Sequence, residues 1–426
     1  MTAPHSVTPA QTAAPARTDW LAVYAALFCG IAVAFNIGKV PIALAALRQE
    51  FGLTLVQGGW VASTFNTLAV FTAMLFGLVC DRLGQMRTAA LGLALSLVGG
   101  CAAVMAHGMP WLFGSRIVEG FGFLSVAVSA PGLISHVAQP ADRRFAMGLW
   151  ATFMPVGVGL AMIAGPLVMP YGGWRAVWFT ALAGFALAAV LLYARRRAFP
   201  THFGTVAGDS LAVARDAVMQ VAPWLFGVAF CAWAIQYFAL VIWLPTFLRE
   251  QRGLAPLAVG LLTALIVLIN APGTVLGGML LSRKVGRGTL IAYASMATGL
   301  LSVAIYLDGL PDVARYACCL LLSFIGGLIP TAVLSSPLVL AKSPRQIGTL
   351  QGLFMQCTNI AQFIGPPAIA ALVTASGHWR DALYVTGSSA CVCLLFGLAI
   401  RRYERRAASA APAALNAGAA AGSRSP

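Results

Sequence analysis

Long apolar runs recur over most of this sequence and constrain its fold more than any other feature. From Trp20 to Tyr403 they alternate with short segments that carry charges, glycine or proline. Each run is about as long as the roughly 20 apolar residues that cross a bilayer. Charged residues make up only 9% of the 426 residues, whereas about 25% of a soluble globular chain is charged. We therefore expect an all-α protein whose partner is the lipid bilayer.

The runs predict twelve transmembrane helices. The polar stretch 195–221 separates six runs at 20–194 from six at 222–403, and residues 1–19 and 404–426 form the two tails. No cleavable signal pattern precedes Trp20, so we expect the first span to stay as an anchor. The last tail is rich in Ala, Pro and Ser, which predicts disorder. The predicted spans are 20–45, 54–80, 86–106, 109–137, 144–169, 174–194, 222–247, 256–281, 287–307, 312–340, 346–374 and 380–401.

The basic residues indicate topology and not nucleic-acid binding. The formal net charge is +15, but the 27 Lys and Arg are scattered between the apolar runs instead of forming a stripe. With a cytoplasmic N-terminus, 19 of the 27 fall on the inside, six fall on the outside, and Lys39 and Arg116 lie within spans. The positive-inside rule then predicts that both termini are cytoplasmic, and the Arg-rich, Ala-rich composition suggests a bacterial inner membrane.

The two halves repeat each other at an offset near 201 residues. The segment 47–53 matches 248–254, Gly77 and Arg82 match Gly278 and Arg283, Gly165-Pro166 matches Gly365-Pro366, and Gly173-Trp174-Arg175 parallels His378-Trp379-Arg380. Four such matches in chain order argue for an internal repeat. Because each half has an even number of spans, both halves point the same way through the membrane, and a site is expected between them.

The loop after the second span reads Gly77-Leu78-Val79-Cys80-Asp81-Arg82-Leu83-Gly84. It resembles the G-x-x-x-D-R-x-G signature of the major facilitator superfamily, although Gln85 stands where that family usually has Arg. The resemblance implies a major facilitator fold of two parallel six-helix repeats. It also implies that Gly77, Asp81, Arg82 and Gly84 take part in gating and not in substrate contact.

Shorter phrases are similar to the cyanate and nitroimidazole transporter-like branch of that family. They are Gly148-Leu149-Trp150, Met154-Pro155 and Gly172-Gly173-Trp174-Arg175, together with Lys39. This finer resemblance implies a small anionic substrate.

Three ionisable residues at membrane depth are the main candidates for a site, because such groups need a cavity or a partner there. Arg116 and Glu119 lie three apart on the fourth span, where they could simply neutralise each other. Lys39 has no acid within a helical turn, so it could join Arg116 as a clamp for an anion, with Asn36 bonded to it, or its long stem could snorkel to the surface. The resemblance to the family implies that the first and fourth spans line the central cavity.

The C-terminal half has no obvious intramembrane charge. Gln236 and Tyr237 in the seventh span are polar groups at depth and complete the candidate substrate-binding set of Lys39, Arg116 and Asn36. Trp233 and Tyr237, four apart, could form an aromatic wall of the cavity or face lipid.

No enzyme signature, nucleotide loop, metal-ligand spacing or cofactor motif is found. We therefore expect a monomeric secondary transporter with no cofactor, no metal and no nucleic-acid partner, working by alternating access. Glu119 is the sole carboxylate well inside a predicted span, which makes it the candidate for proton coupling. The alternatives are a broad-specificity exporter of drugs or metabolites, and a membrane sensor that binds without transporting.

Overall fold

The structure, a computed structural model, describes residues 17–199, 210–306, 309–343 and 346–422. Within these ranges the regular secondary structure is helical, with short 3-10 turns at Thr64–Asn66, Arg196–Ala198 and Trp379–Asp381. The α-helices are α1 (Trp20–Phe51), α2 (Leu55–Ser63), α3 (Thr67–Leu83), α4 (Gln85–Val104), α5 (Met109–Val137), α6 (Arg143–Ala151), α7 (Phe153–Ala194), α8 (Ser210–Met219), α9 (Val221–Glu250), α10 (Pro256–Ser282), α11 (Arg287–Tyr306), α12 (Asp312–Gly326), α13 (Leu328–Leu334), α14 (Pro337–Leu340), α15 (Gln346–Ser376) and α16 (Ala382–Gly422).

Ten helical stretches in the described part of the chain are long and apolar enough to cross a membrane. The sequence predicts twelve spans, two more than these ten stretches, and the predicted boundaries differ from them at two places. The stretch Phe145–Ala194 counts once at 50 residues, although Gly172 and Gly173 inside α7 have non-helical backbone angles. Gly173 has φ of 60°, a left-handed conformation that favours glycine. The segment 55–83 is divided by the 3-10 turn Thr64–Asn66 into pieces of 9 and 17 residues.

The first helix is fixed at its start by Asp19. This side chain caps α1 by accepting a hydrogen bond from the Ala22 N–H at 3.1 Å, and it also accepts one from Arg195, just after α7, at 2.6 Å. Partial burial raises the pKa of Asp19, but these hydrogen bonds and the Arg195 charge outweigh it, so that the pKa lies below its ordinary value. The carboxylate thereby joins the beginning of α1 to the end of α7.

Buried apolar side chains form two main clusters. The N-terminal cluster is built mainly from α1, α4, α5 and α7, with Trp174, Trp178 and Phe185 among its largest members. The C-terminal cluster is built mainly from α9, α11, α13, α15 and α16. Phe65, between α2 and α3, packs in the C-terminal cluster although it precedes the polar stretch 195–221.

Helices before and after the polar stretch 195–221 also make polar contacts with each other. The Ser63 hydroxyl donates to the Gln362 carbonyl at 3.1 Å, and the Gln356 side chain donates to the Val70 carbonyl at 2.8 Å. At the ends of α1 and α9, the Arg48 guanidinium lies 2.8 Å from a Glu250 carboxylate oxygen. These contacts connect α1, α2 and α3 to α9 and α15.

Two segments outside the apolar helices contain helix. The short helix α8 contacts the beginning of α15, where Asp216 accepts hydrogen bonds from Lys342 at 3.1 Å and Gln346 at 2.7 Å. The backbone of α16 continues to Gly422, which differs from the disorder that composition predicts after residue 403. The high alanine content explains the difference, since alanine has the strongest intrinsic helix preference.

Candidate functional site

Three charged side chains meet inside the bundle of α1, α4, α5 and α7. Lys39 on α1 donates through Nζ to Oε1 of Glu119 on α5 at 2.6 Å. Arg116, one turn earlier on α5, donates through Nη1 to the other carboxylate oxygen, Oε2. The exposed fraction is 0% for Lys39, 1% for Arg116 and 0% for Glu119. We call these residues the charged triad.

Small residues on α4 allow the triad to pack. Gly99 and Gly100 face Glu119, and a Cβ built on Gly99 would lie 2.8 Å from the Glu119 Cγ and 2.9 Å from its backbone nitrogen. Any larger residue at 99 would therefore push α4 away from α5. The close approach of these helices depends on glycine, as is common between membrane helices.

Aromatic rings complete the surroundings of the two cations. Lys39 Nζ lies 4.3 Å from the centroid of a Trp178 ring, and Arg116 Cζ lies 4.6 Å from the centroid of the Phe65 ring. Ring faces stabilise cations at such distances, more so where water is excluded. Phe65 lies in the turn between α2 and α3 and packs in the C-terminal cluster, which also includes residues of α1 and α7.

Asn36 lies beside the triad. The sequence predicts a hydrogen bond between Asn36 and Lys39, and the structure does not have it. The backbone carbonyl of Asn36 accepts a hydrogen bond from Arg116 Nη2 at 3.2 Å. Both side-chain amide atoms are buried without a hydrogen-bond partner among the described residues. Lys39 bonds Glu119 instead, because an ammonium gains more from a carboxylate than from a neutral amide. The amide of Asn36 is therefore a buried polar group with unused bonding capacity.

The triad has an excess of positive charge. With all three groups ionised, two cations and one carboxylate give a formal charge of +1. A charge buried in a low-dielectric interior is costly unless an opposite charge stays beside it. Lys39 does not snorkel to the surface, and Lys39 and Arg116 converge on one carboxylate.

Gln236 and Tyr237 point to different neighbours. The Gln236 amide donates to the Ser302 hydroxyl at 2.9 Å and to the Thr298 carbonyl at 3.2 Å, both on α11. Tyr237 stacks on Trp233, with ring centroids 5.2 Å apart, and both rings are buried in the C-terminal cluster. The lipid-facing alternative for Trp233 and Tyr237 is therefore wrong. These residues lie on α9, whereas the triad lies on α1 and α5.

The predicted gating residues lie where α3 meets α4. The side chains of Asp81 and Arg82, and residue Gly77, fall outside the part of the chain whose side chains the structure describes. Gly84 ends α3 with φ of 87°, and its N–H donates to the Cys80 carbonyl at 2.9 Å. The left-handed backbone at Gly84 is the tight turn that this glycine permits.

The sequence does not predict that Phe65 and Trp178 contact the triad, or that Arg48 pairs with Glu250. The matched segments 47–53 and 248–254 mark the right helix ends, but Arg48 and Glu250 are 202 positions apart. Nothing local to either segment signals that pairing. The aromatic partners of the triad likewise come from helices other than α1 and α5.

The chain is similar to known proteins both in sequence and in fold. The family model described as Major Facilitator Superfamily matches residues 26–366. The chain is 27% identical to a protein named a probable sulfoacetate transporter of Cupriavidus necator, over 83% of this chain and 87% of that one. It is 26% identical to the 3-(3-hydroxy-phenyl)propionate transporter of Escherichia coli K12, over 86% and 89%. A bacterial homolog of the human lysosomal transporter Spinster, in an inward-facing structure, has the same fold with a TM-score of 0.77 at 15% identity, covering 91% of this chain and 98% of that one.

Proposed function

This chain belongs to the Major Facilitator Superfamily, a family of membrane transporters and not of enzymes, and from that premise we propose that it carries a small organic anion by alternating access. The observation that carries the proposal is the buried triad with its formal charge of +1. A net positive charge at membrane depth is costly unless an anion compensates it. The substrate supplies that anion during part of the cycle.

The names of two relatives support an acidic substrate. One is named for sulfoacetate and the other for 3-(3-hydroxy-phenyl)propionate, and both compounds are anions at neutral pH. The first is compact and the second carries an aromatic ring. Their shared feature is an acidic group on a small carbon skeleton. We therefore propose that the substrate of this chain is an organic sulfonate or an organic carboxylate. The finer resemblance to the cyanate branch stays a prediction.

The proposed architecture has twelve spans in two parallel halves, 20–194 and 222–403. The non-helical residues Gly172 and Gly173 support a division of the stretch Phe145–Ala194 into two spans. The segment 55–83, which is not among the ten stretches, supplies the remaining span. The charge distribution supports an orientation in a bacterial inner membrane with both termini cytoplasmic. We further propose that the transporter works as a monomer.

Glu119 is the proposed proton carrier. It accepts hydrogen bonds from Lys39 and Arg116 at once, so a proton on this carboxylate removes the shared counter-charge of both cations. The site then has a formal charge of +2 and attracts an anion more strongly. Release of the anion and the proton restores the closed triad. This sequence couples the proton to the substrate.

Arg116 is the proposed first contact of the substrate. The Phe65 ring lies 4.6 Å from the Arg116 guanidinium carbon, and we propose that this ring rotates to admit the substrate. Lys39 lies beside Trp178, and the unpaired side-chain amide of Asn36 offers a further donor. The bound substrate thus replaces hydrogen bonds that the triad residues make with one another.

The C-terminal half is proposed to contribute shape. Tyr237 and Trp233 form a stacked aromatic wall, which suits the apolar part of an organic acid. Gln236 supports this wall by bonding α9 to α11. Asp81 and Arg82 keep the gating role that the family resemblance implies, with Gly77 and Gly84 shaping the loop.

Counterflow in proteoliposomes tests the substrate class. Wild type should exchange labelled sulfoacetate or 3-(3-hydroxyphenyl)propionate, and Lys39→Gln should reduce that flux at least about tenfold, since a hydrogen bond to a charged group contributes about 1.5–3 kcal/mol. Lys284→Gln is the matched control, because Lys284 is exposed and far along the chain from the triad. Lys39→Arg should retain more flux than Lys39→Gln.

Unchanged anion flux in a folded Lys39→Gln protein would contradict the proposal. Flux of a lipophilic cation alone would favour the exporter alternative, and anion binding without flux would favour the sensor.

Glu119→Gln tests the coupling separately. Wild type should accumulate substrate under an imposed proton gradient, and Glu119→Gln should lose accumulation while keeping counterflow. Asp312→Asn removes an exposed carboxylate that pairs with Arg252 and serves as the control. Proton-driven accumulation that survives in Glu119→Gln would eliminate Glu119 as the carrier.

A further inference from the structure

An apolar groove of about 400 Å³ runs along the outer surface between the beginning of α4 and the end of α7. Met86 and Ala90 line it from α4, and Ala189, Val190 and Tyr193 line it from α7. Val190 and Tyr193 are more than half exposed, so the groove opens away from the protein.

Three arginines lie at one end of this groove. Arg87 is in the first turn of α4, and Arg196 and Arg197 follow the end of α7. All three are exposed. The Arg196 guanidinium lies 3.8 Å from the centroid of the Tyr193 ring, which holds this cation at the rim of the groove. Arg195, the next residue, is already paired with Asp19.

We propose that this groove binds an anionic phospholipid, with one acyl chain in the groove and the phosphate on the arginines. An acyl chain suits the groove because its lining is apolar and faces the bilayer. The arginines select the headgroup, since basic sites between membrane helices attract anionic headgroups. Guanidinium groups bond phosphate oxygens in a bidentate way, which favours arginine over a simple point charge. The positive-inside orientation puts this end at the cytoplasmic leaflet.

The site is separate from the charged triad. The triad is enclosed by α1, α4, α5 and α7, whereas the groove lies on the outer surface of α4 and α7. Because α4 carries Gly99 toward Glu119 and Ala90 toward the groove, a bound lipid contacts the same helix that packs on the triad. The lipid is a structural ligand at this surface and takes no part in the substrate path.

Native mass spectrometry of the delipidated full chain tests the site with palmitoyl-oleoyl phosphatidylglycerol and the matching phosphatidylcholine. We expect a preference for phosphatidylglycerol. Arg196→Gln should weaken its binding about fivefold, since one basic residue near the surface contributes about 1 kcal/mol. Arg402→Gln, which removes an exposed arginine on α16, should leave the affinity unchanged.

A second pair of variants tests the acyl-chain groove. Ala90→Trp should fill it and abolish the preference for phosphatidylglycerol. Ala94→Trp, one turn further on the exposed face of α4, should not. Thermal unfolding of both variants shows that they are folded.

Equal binding of the two lipids by wild type would overturn the proposal. So would phosphatidylglycerol binding that survives Ala90→Trp, or competition by soluble glycerol phosphate as strong as that by the whole lipid. The last result would indicate a free phosphate site and not a lipid site.

Discussion

Glu119 accepts hydrogen bonds from two cations, and the charge balance of the buried triad therefore depends on one carboxylate. Removing one partner of a buried ion pair typically destabilises a protein by about 3–5 kcal/mol, because the other charge remains buried without compensation. The carboxylate keeps its position through the close approach of α4, where Gly99 and Gly100 leave room for it. The packing glycines are thus as important to the triad as its charges.

Gly99→Ala should destabilise the protein by about 1–3 kcal/mol, the usual cost of overpacking a tight interface. The added methyl would lie 2.8 Å from the Glu119 Cγ, so either the carboxylate or α4 must move. Thermal unfolding in detergent measures the loss. We also expect slower anion flux, because the Lys39–Glu119 bond is displaced.

Gly114→Ala is the matched control. Gly114 lies on α5 with no atom within 4 Å of the position of a new Cβ. Alanine is up to about 1 kcal/mol more favourable than glycine inside a helix, so this variant should be at least as stable as wild type. Equal stability of both variants would mean that α4 does not confine Glu119.

The sequence predicts part of this site. The Arg116–Glu119 contact follows from a spacing of three on one helix. The partner of Lys39 does not, because it is 80 positions away and depends on how α1 packs against α5. The same reasoning explains why the side-chain amide of Asn36 is unpaired, since Lys39, its predicted partner, bonds Glu119 instead.

At the scale of helices, breaks in regular structure are specified by single residues. In α7 the conformation at Gly173 is left-handed, whereas Gly172 has φ of −166°, an extended backbone that any residue adopts. The sequence predicts a boundary between residues 169 and 174, close to this break. It does not predict the turn Thr64–Asn66, because no glycine or proline interrupts the apolar run there.

Gly173→Ala should cost about 1–2 kcal/mol, because a Cβ disfavours the left-handed region. Gly172→Ala is the neighbouring control, whose new Cβ would meet only the Ala176 Cβ at 3.4 Å, an ordinary contact. Thermal unfolding of the two variants checks the difference. An equal loss of stability in both would show that the left-handed conformation at Gly173 is not required.

The docking of α8 should depend on pH. Hydrogen bonds from Lys342 and Gln346 hold the pKa of Asp216 below its usual value. A carboxyl with a depressed pKa contributes stability above its unfolded pKa, near about 4, and loses it as the pH falls through the folded pKa. Pepsin cleavage near α8 should therefore increase as the pH falls below about 4.

Asp216→Asn is the comparison for this measurement. It cannot ionise, so its cleavage near α8 should already be raised at pH 4 and should change little below it. Asp312→Asn alters a different exposed pair and should behave like wild type. Identical pH profiles for Asp216→Asn and wild type would contradict the predicted role of Asp216.

For the whole molecule, the ends of α1 and α9 are held together by Arg48 and Glu250. Both side chains are partly exposed, at 24% and 38%, so the ion pair itself contributes no more than about 1 kcal/mol. Its position matters more than its strength, because the proposed alternating access would require these helix ends to separate. A covalent link at this position should stop transport even though the ion pair is weak.

Arg48→Cys with Glu250→Cys, joined by a short bifunctional thiol reagent in a background without reactive cysteines, should abolish anion flux. Cleavage of the linker should restore flux. Glu50→Cys with Arg175→Cys links α1 to α7 at an ion pair of similar length, 2.7 Å, within the N-terminal side, and should leave transport intact. Full flux in the linked Arg48–Glu250 protein would show that these helix ends stay together throughout the cycle.

The Lys39–Glu119 bond also has a consequence for biosynthesis. Lys39 enters the membrane with α1, while Glu119 is translated 80 residues later. At about 5–20 residues per second, that interval lasts about 4–16 s. During this time a nascent α1 carries an ammonium with no carboxylate partner. We therefore expect the first helix to be retained beside the insertion machinery, or shielded by another protein, until α5 arrives and completes the pair.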